Sequence, residues 1–154
     1  MLFAIEKVLV PAAAHPDRPV AAETDQRLNI AVVFTSAEAT LTALKEAGAL
    51  ASSLGARVTL VVPQVVPFPL PLESPPVLLD FNENRFRQIA AQSPVETTVQ
   101  IYLCRDGLAT LMKVLTPSSL VFIGAKRRWW PTWERSLVRR LRKGGHEVVF
   151  KETE

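Results

Sequence analysis

Apolar residues in this chain follow two alternating rhythms. Short unbroken apolar runs give way to stretches in which every third or fourth position is apolar. The first run, Asn29–Phe34, has no polar alternation and predicts a buried parallel strand. Thr35 and Glu38 have capping-box spacing, with Thr35 as the cap. The predicted helix carries Leu41, Leu44, Ala47, Gly48 and Ala51 on one stripe and stops near Leu54, with Gly55 as a left-handed terminator. Arg57–Val62 is the second strand. Residues 63–76 hold six of the twelve prolines and predict an extended surface crossover. A proline-rich ligand for a partner domain is the alternative there.

Leu78–Gln92 predicts a helix with Leu78, Leu79, Asn82, Phe86 and Ile89 near one face. Val95–Leu103 alternates with period two, which predicts a partly exposed edge strand. Arg105-Asp106-Gly107 turns into a helix bearing Leu108, Leu111, Met112 and Leu115, stopped by Thr116-Pro117-Ser118. Ser119–Gly124 is the most apolar strand and is expected to be central. Thr132–Lys143 forms the last helix, with Trp133, Leu137 and Leu141 as its apolar stripe and Gly144-Gly145 as its stop. His146–Lys151 closes the series.

The order β-α-β-α-β-α-β-α-β over residues 29–151 predicts an α/β fold. Its expected form is an open, mostly parallel five-stranded sheet, Rossmann-like, with helices on both faces. Phe3–Val10 reads as an extra N-terminal strand and residues 12–27 as a linker. The chain thus divides into a segment 1–28 and an α/β domain 29–154. The extra strand has two options, an edge of this sheet or a second subunit.

At 154 residues the chain suffices for one hydrophobic core. The apolar stretch Val58–Leu72 is too short and too broken by proline to span a bilayer. The first ten residues lack the layout of a signal peptide. With a single cysteine, Cys104, the expectation is a cytoplasmic protein with no internal disulfide. Charge is uneven. Lys126 to Lys143 hold eight Lys/Arg and one acid, Glu134, a local +7 within a net charge of +3. Such a segment serves as an anion-binding face or as a solvated helix whose cations favour its C-terminal dipole. The second use is the commoner.

A strand ending at Gly124 and running into a loop and helix start is where open α/β sheets hold nucleotides. Here the loop region carries Lys126, Arg127, Arg128 and the tryptophans Trp129, Trp130 and Trp133. Aromatics among cations suit base stacking, but Trp133 shares the stripe of Leu137 and Leu141. Packing or a partner surface is therefore the preferred reading, and nucleic acid the weaker one. His15 and His146 have no acidic or cysteine neighbour at metal-ligand spacing. Cys104 reads as a buried small hydrophobe, and Thr35 and Ser36 as helix caps. Arg105-Asp106 is a candidate turn ion pair. No catalytic set of residues emerges.

Several segments, taken in order, resemble the universal stress protein family over about 120 residues. Ile30–Ala39 is similar to that family's opening strand and turn, and Leu50–Pro63 to its helix end and second strand. Arg105–Ala109 sits at its acidic helix start, and Leu120–Gly124 resembles its fourth strand. Nucleotide-binding members share a Gly-x2-Gly-x9-Gly-Ser/Thr pattern after that strand and an Asp after the first. Gly124 matches the first glycine and Arg127 stands at the second. With a loop two residues shorter, Arg135 stands at the last glycine and Ser136 matches the hydroxyl position. Phe34 replaces the Asp, while Val62 keeps the position whose backbone meets adenine. The resemblance implies dimerisation through the last strand, Glu147–Phe150, and these replacements imply loss of ordinary ATP binding.

The preferred expectation is a non-enzymatic regulatory domain with no cofactor, acting as a homodimer on an unidentified protein partner. The alternative is a module for an anion or an adenine nucleotide in an altered pose. It would use Lys126, Arg127, Arg128 and Arg135 at the helix start. Single-stranded nucleic acid on the basic helix is third.

Overall fold

The computed structural model describes residues 5–9, 28–70, 79–116, 119–129 and 132–154, with the backbone alone at 5–9 and 79–83. Its elements are β1 (Ile5–Leu9), β2 (Asn29–Val33), α1 (Ala37–Leu54), β3 (Arg57–Val65), α2 (Leu79–Ala91) and β4 (Thr97–Cys104). They continue as α3 (Gly107–Val114), β5 (Leu120–Lys126), α4 (Trp133–Lys143) and β6 (Glu147–Thr153). The strands lie in the order β1-β4-β3-β2-β5-β6. The last five are mutually parallel, as the alternation of elements predicts. β4 ends the parallel set, and β1 runs antiparallel along its outer side. Most of residues 1–28, including the reading of 12–27 as a linker, lies outside the described residues.

Both faces are covered, so β2, β3 and β5 are apolar almost throughout. One face packs Ile30, Val32, Leu60, Val62, Val99, Ile101 and Phe122 against Ala43, Leu44 and Ala47 of α1 and Phe86 and Ile89 of α2. The other packs Ala31, Val33, Val61, Val121 and Ile123 against Leu111 of α3 and Leu137, Val138 and Leu141 of α4. Each of the larger buried side chains contributes about 1.5–3 kcal/mol by leaving water. The buried positions of α1 are mostly Ala, Thr and Gly, which brings its backbone close to the sheet. A Cβ on Gly124 would lie 2.1 Å from the Ala39 carbonyl oxygen.

Three local expectations change. The cap of α1 is Ser36, whose Oγ accepts from the Ala39 N–H at 3.4 Å. Thr35 instead donates its hydroxyl across the sheet to the Gly124 carbonyl. β3 runs on through Pro63 to Val65, three residues beyond its predicted end. The Val61 carbonyl accepts from the Phe34 N–H, so residue 61 faces β2. Pro63 has the same parity and faces a side where β2 has already ended, so its missing N–H costs no bond. Trp133, expected on the apolar stripe of α4, is 50% exposed, whereas Leu137 and Leu141 are buried. The buried stripe is Leu137, Val138 and Leu141, one turn further along.

Candidate functional site

Strand order reverses between β2 and β5, so a crevice opens at their C-terminal ends. β2 delivers Phe34, Thr35 and Ser36 to this mouth. β5 delivers Gly124 through Arg128. Most of these groups are already engaged in the fold. Phe34 turns toward α2, where its ring meets Phe86 edge-on at 4.9 Å, and Arg85 lies 5.7 Å from its centroid. The Thr35 N–H donates to the Thr40 hydroxyl at 3.1 Å.

Gly124 is explained by packing, because the space a side chain would need is filled by the first turn of α1. Beyond it the chain does not open into a loop. β5 stays paired with β6 through Lys126 opposite Thr153, and the Arg127 N–H then donates to the Thr153 carbonyl at 2.7 Å. A phosphate cradle needs backbone donors aimed at the ligand. At Arg127 that donor is used by the sheet.

Two of the predicted cations pair with acids of other elements. Lys126 pairs with Glu38 on the first turn of α1 at 3.2 Å. Arg135 turns toward β6, pairing with Glu152 at 2.9 Å and donating to the Arg128 carbonyl at 3.0 Å. It thereby ties the segment after β5 to the end of β6. Both ion pairs are partly exposed, so each is worth about 0–1 kcal/mol. The Arg127 side chain is exposed. Ser136 lies in the first turn of α4, where its N–H donates to Thr132, whose own side chain makes no cap bond.

Val62 is buried in β3 opposite Ile101. The Val66 N–H donates to Cys104 of β4, and by alternation Val62 also turns its backbone toward β4. The backbone groups expected to meet adenine therefore belong to the β3–β4 ladder. Gly124 and the Arg127–Arg128 segment share the mouth with Lys126, while Val62 faces away from it and Arg135 leads to the β6 side.

Other candidates resolve into structural roles. Arg105 donates to the Val66 carbonyl at 2.8 Å and lies 4.0 Å from the Phe68 ring centroid, while Asp106 caps α3. The expected ion pair between these two neighbours is replaced by those contacts. Cys104 is buried, and burial pushes its thiol above the ordinary value, the reverse of what a nucleophile needs. His15 lies outside the described residues, and among those described no cluster of three metal-ligating side chains forms.

Two arrangements escape a reading of the sequence. The ring of buried His146 lies 3.1 Å from the Ser119 hydroxyl, at the end of the sheet away from the mouth. Its signal would have been two polar residues at the starts of adjacent strands. Arg142 donates to the Val148 carbonyl at 3.0 Å on the outer edge of β6. That bond follows from packing and has no motif. Trp129, at 90% exposure, is the most open aromatic described.

No family model matches this chain, and no curated protein sequence does. Solved structures do. A universal stress protein from Archaeoglobus fulgidus is similar with a TM-score of 0.54 and 14% identity, over 80% of this chain and 92% of that one. A protein of the universal stress protein family from Burkholderia pseudomallei is similar with a TM-score of 0.52 and 18% identity, over 83% and 98%. Among the described residues no helix is long and apolar enough to cross a membrane. The parallel order, the crevice position and the extent of these matches agree: the chain carries the universal stress protein fold.

Proposed function

We propose that this chain is a non-enzymatic interaction domain of the universal stress protein type that has lost ordinary ATP binding and pairs with a second copy through β6. The observation that carries the first part is the bond from the Arg127 N–H to Thr153, which spends a backbone donor at the position of the family's second glycine. Gly124, the remaining glycine of the pattern, serves the contact with α1. The Phe34 ring packs on Phe86, where the pattern has an acid for ribose or metal. Pairing is supported by the position of β6, which has β5 on one side and no strand on the other among the described residues.

The clamp reading, with Lys126, Arg127, Arg128 and Arg135 gathered on one anion, is less well supported. Lys126 and Arg135 each have a carboxylate partner, Glu38 on α1 and Glu152 on β6. Purified protein, heat-denatured and spun, should release no bound nucleotide into the supernatant. Stoichiometric ATP there would sink the proposal. The solution mass of the free protein tests the pairing separately, and a monomer at tens of micromolar would remove that part alone.

A further inference from the structure

Among the described residues, the outer edge of β6 has no strand beside it and runs along a row of arginines. The Glu147 N–H donates to Ser119, and the Thr153 carbonyl accepts from Arg127, so both residues face β5. By alternation Val148, Phe150 and Glu152 turn their N–H and C=O groups to the open side. α4 lies over one face of this edge. Its residues Arg135, Arg139 and Arg142, at i, i+4 and i+7, share a flank and line a depression of about 360 Å³ with Val138 and Phe150. Arg142 covers the Val148 carbonyl at 3.0 Å, which leaves Phe150 and Glu152 as the open part of the edge. Arg135 holds Glu152 at 2.9 Å. Arg139 has no partner among the described residues.

We propose that this groove is a docking site for an extended acidic segment of another protein. The segment adds as a strand to the Phe150–Glu152 edge and lays carboxylates, at alternate positions, against Arg139 and Arg142. Same-face side chains of a strand are about 6.8 Å apart, and helix residues three or four apart have Cβ atoms about 5–6 Å apart, a difference long arginine side chains span. The main-chain bonds supply affinity, while three guanidinium groups against the single carboxylate of Glu152 select the acidic partner. Val138 and Phe150 form an apolar floor under the aliphatic stems of the acidic side chains. The inference rests on the reading of β6 as a pairing edge but gives it a different occupant. A second copy and the acidic segment compete for the same backbone groups.

The test uses a fluorescein-labelled ten-residue peptide of alternating Glu and Val and the full-length protein at low salt, read by anisotropy. The expected result is saturable binding that weakens with salt and weakens at least about tenfold in Arg139→Glu. An alternating Lys-Val peptide should not bind. N-methylation of alternate peptide nitrogens keeps the charges but blocks the strand bonds, and should abolish binding. No binding of the Glu-Val peptide, or equal binding to Arg139→Glu, overturns the site. Undiminished binding of the N-methylated peptide, or equal affinity for inorganic tripolyphosphate, overturns strand addition in favour of a bare anion patch. The mass of the free protein, measured alongside, judges self-pairing independently of all these outcomes.

Discussion

A single hydrogen atom is all that Gly124 can carry. A Cβ there would lie 2.1 Å from the oxygen and 2.7 Å from the carbon of the Ala39 carbonyl, and backbone does not swing aside as a side-chain tip would. Gly124→Ala must lift α1 off β5, and we expect a loss of about 1–3 kcal/mol, read as a lower urea midpoint at unchanged slope. A silent substitution would show that this glycine serves something other than packing. Cys104 gives a pH signature. Burial raises its thiol pKa, so the native state holds the proton more tightly than the unfolded chain. The stability this contributes is full below the ordinary value of 9.0 and is lost as pH rises toward the native value. Denaturation of wild type and Cys104→Ser between pH 7 and pH 10 should diverge on the alkaline side. Identical alkaline profiles would remove the thiol from that account. The sequence marks Gly124 as special but not why, because the atom that excludes a side chain belongs to a helix distant in the chain.

At the scale of elements, the start of α1 separates two hydroxyls that look interchangeable in the sequence. Ser36 closes the helix end and Thr35 joins β2 to β5. Ser36→Ala is expected to cost about 1 kcal/mol, an ordinary cap loss. Thr35→Ala strips the donor from a partly buried carbonyl, and is expected to cost about 1–3 kcal/mol in the same denaturation assay. Equal, negligible losses would refute the division of labour. Helix periodicity and glycine stops locate each element, because those signals act within a turn or two of the chain. They misplace what depends on neighbours. The capping box slips by one residue because Thr35 has a partner across the sheet, and Trp133 overshoots the buried stripe because α4 begins before its buried face does. Pro63 looks like a strand end until the shorter β2 beside it is known.

For the whole molecule, the order of elements was readable because each β-α step leaves a local trace, and that order dictates a parallel sheet. The candidate site was readable only through the family resemblance, under which Arg127, Arg135 and Phe34 stand where the pattern has glycine or an acid. That Lys126 and Arg135 answer to Glu38 and Glu152 on other elements is not written in the chain. ATP at low salt is accordingly expected to leave the melting temperature unchanged. A rise abolished by Arg127→Ala would revive the clamp reading. The extension of β6 past Phe150 has a consequence for engineering. The last side chains of β6 in the apolar clusters are Val148, Val149 and Phe150, while residues 151–153 hold Glu46, Arg135 and the Arg127 N–H. Closure of the mouth is therefore modular. Shortening the chain after Phe150 should spare the hydrophobic core, return the Arg127 N–H to solvent and release Arg135 from Glu152 while its bond to the Arg128 carbonyl stays. Nuclear magnetic resonance of the Arg127 amide in the truncated chain, titrated with phosphate, would read that change.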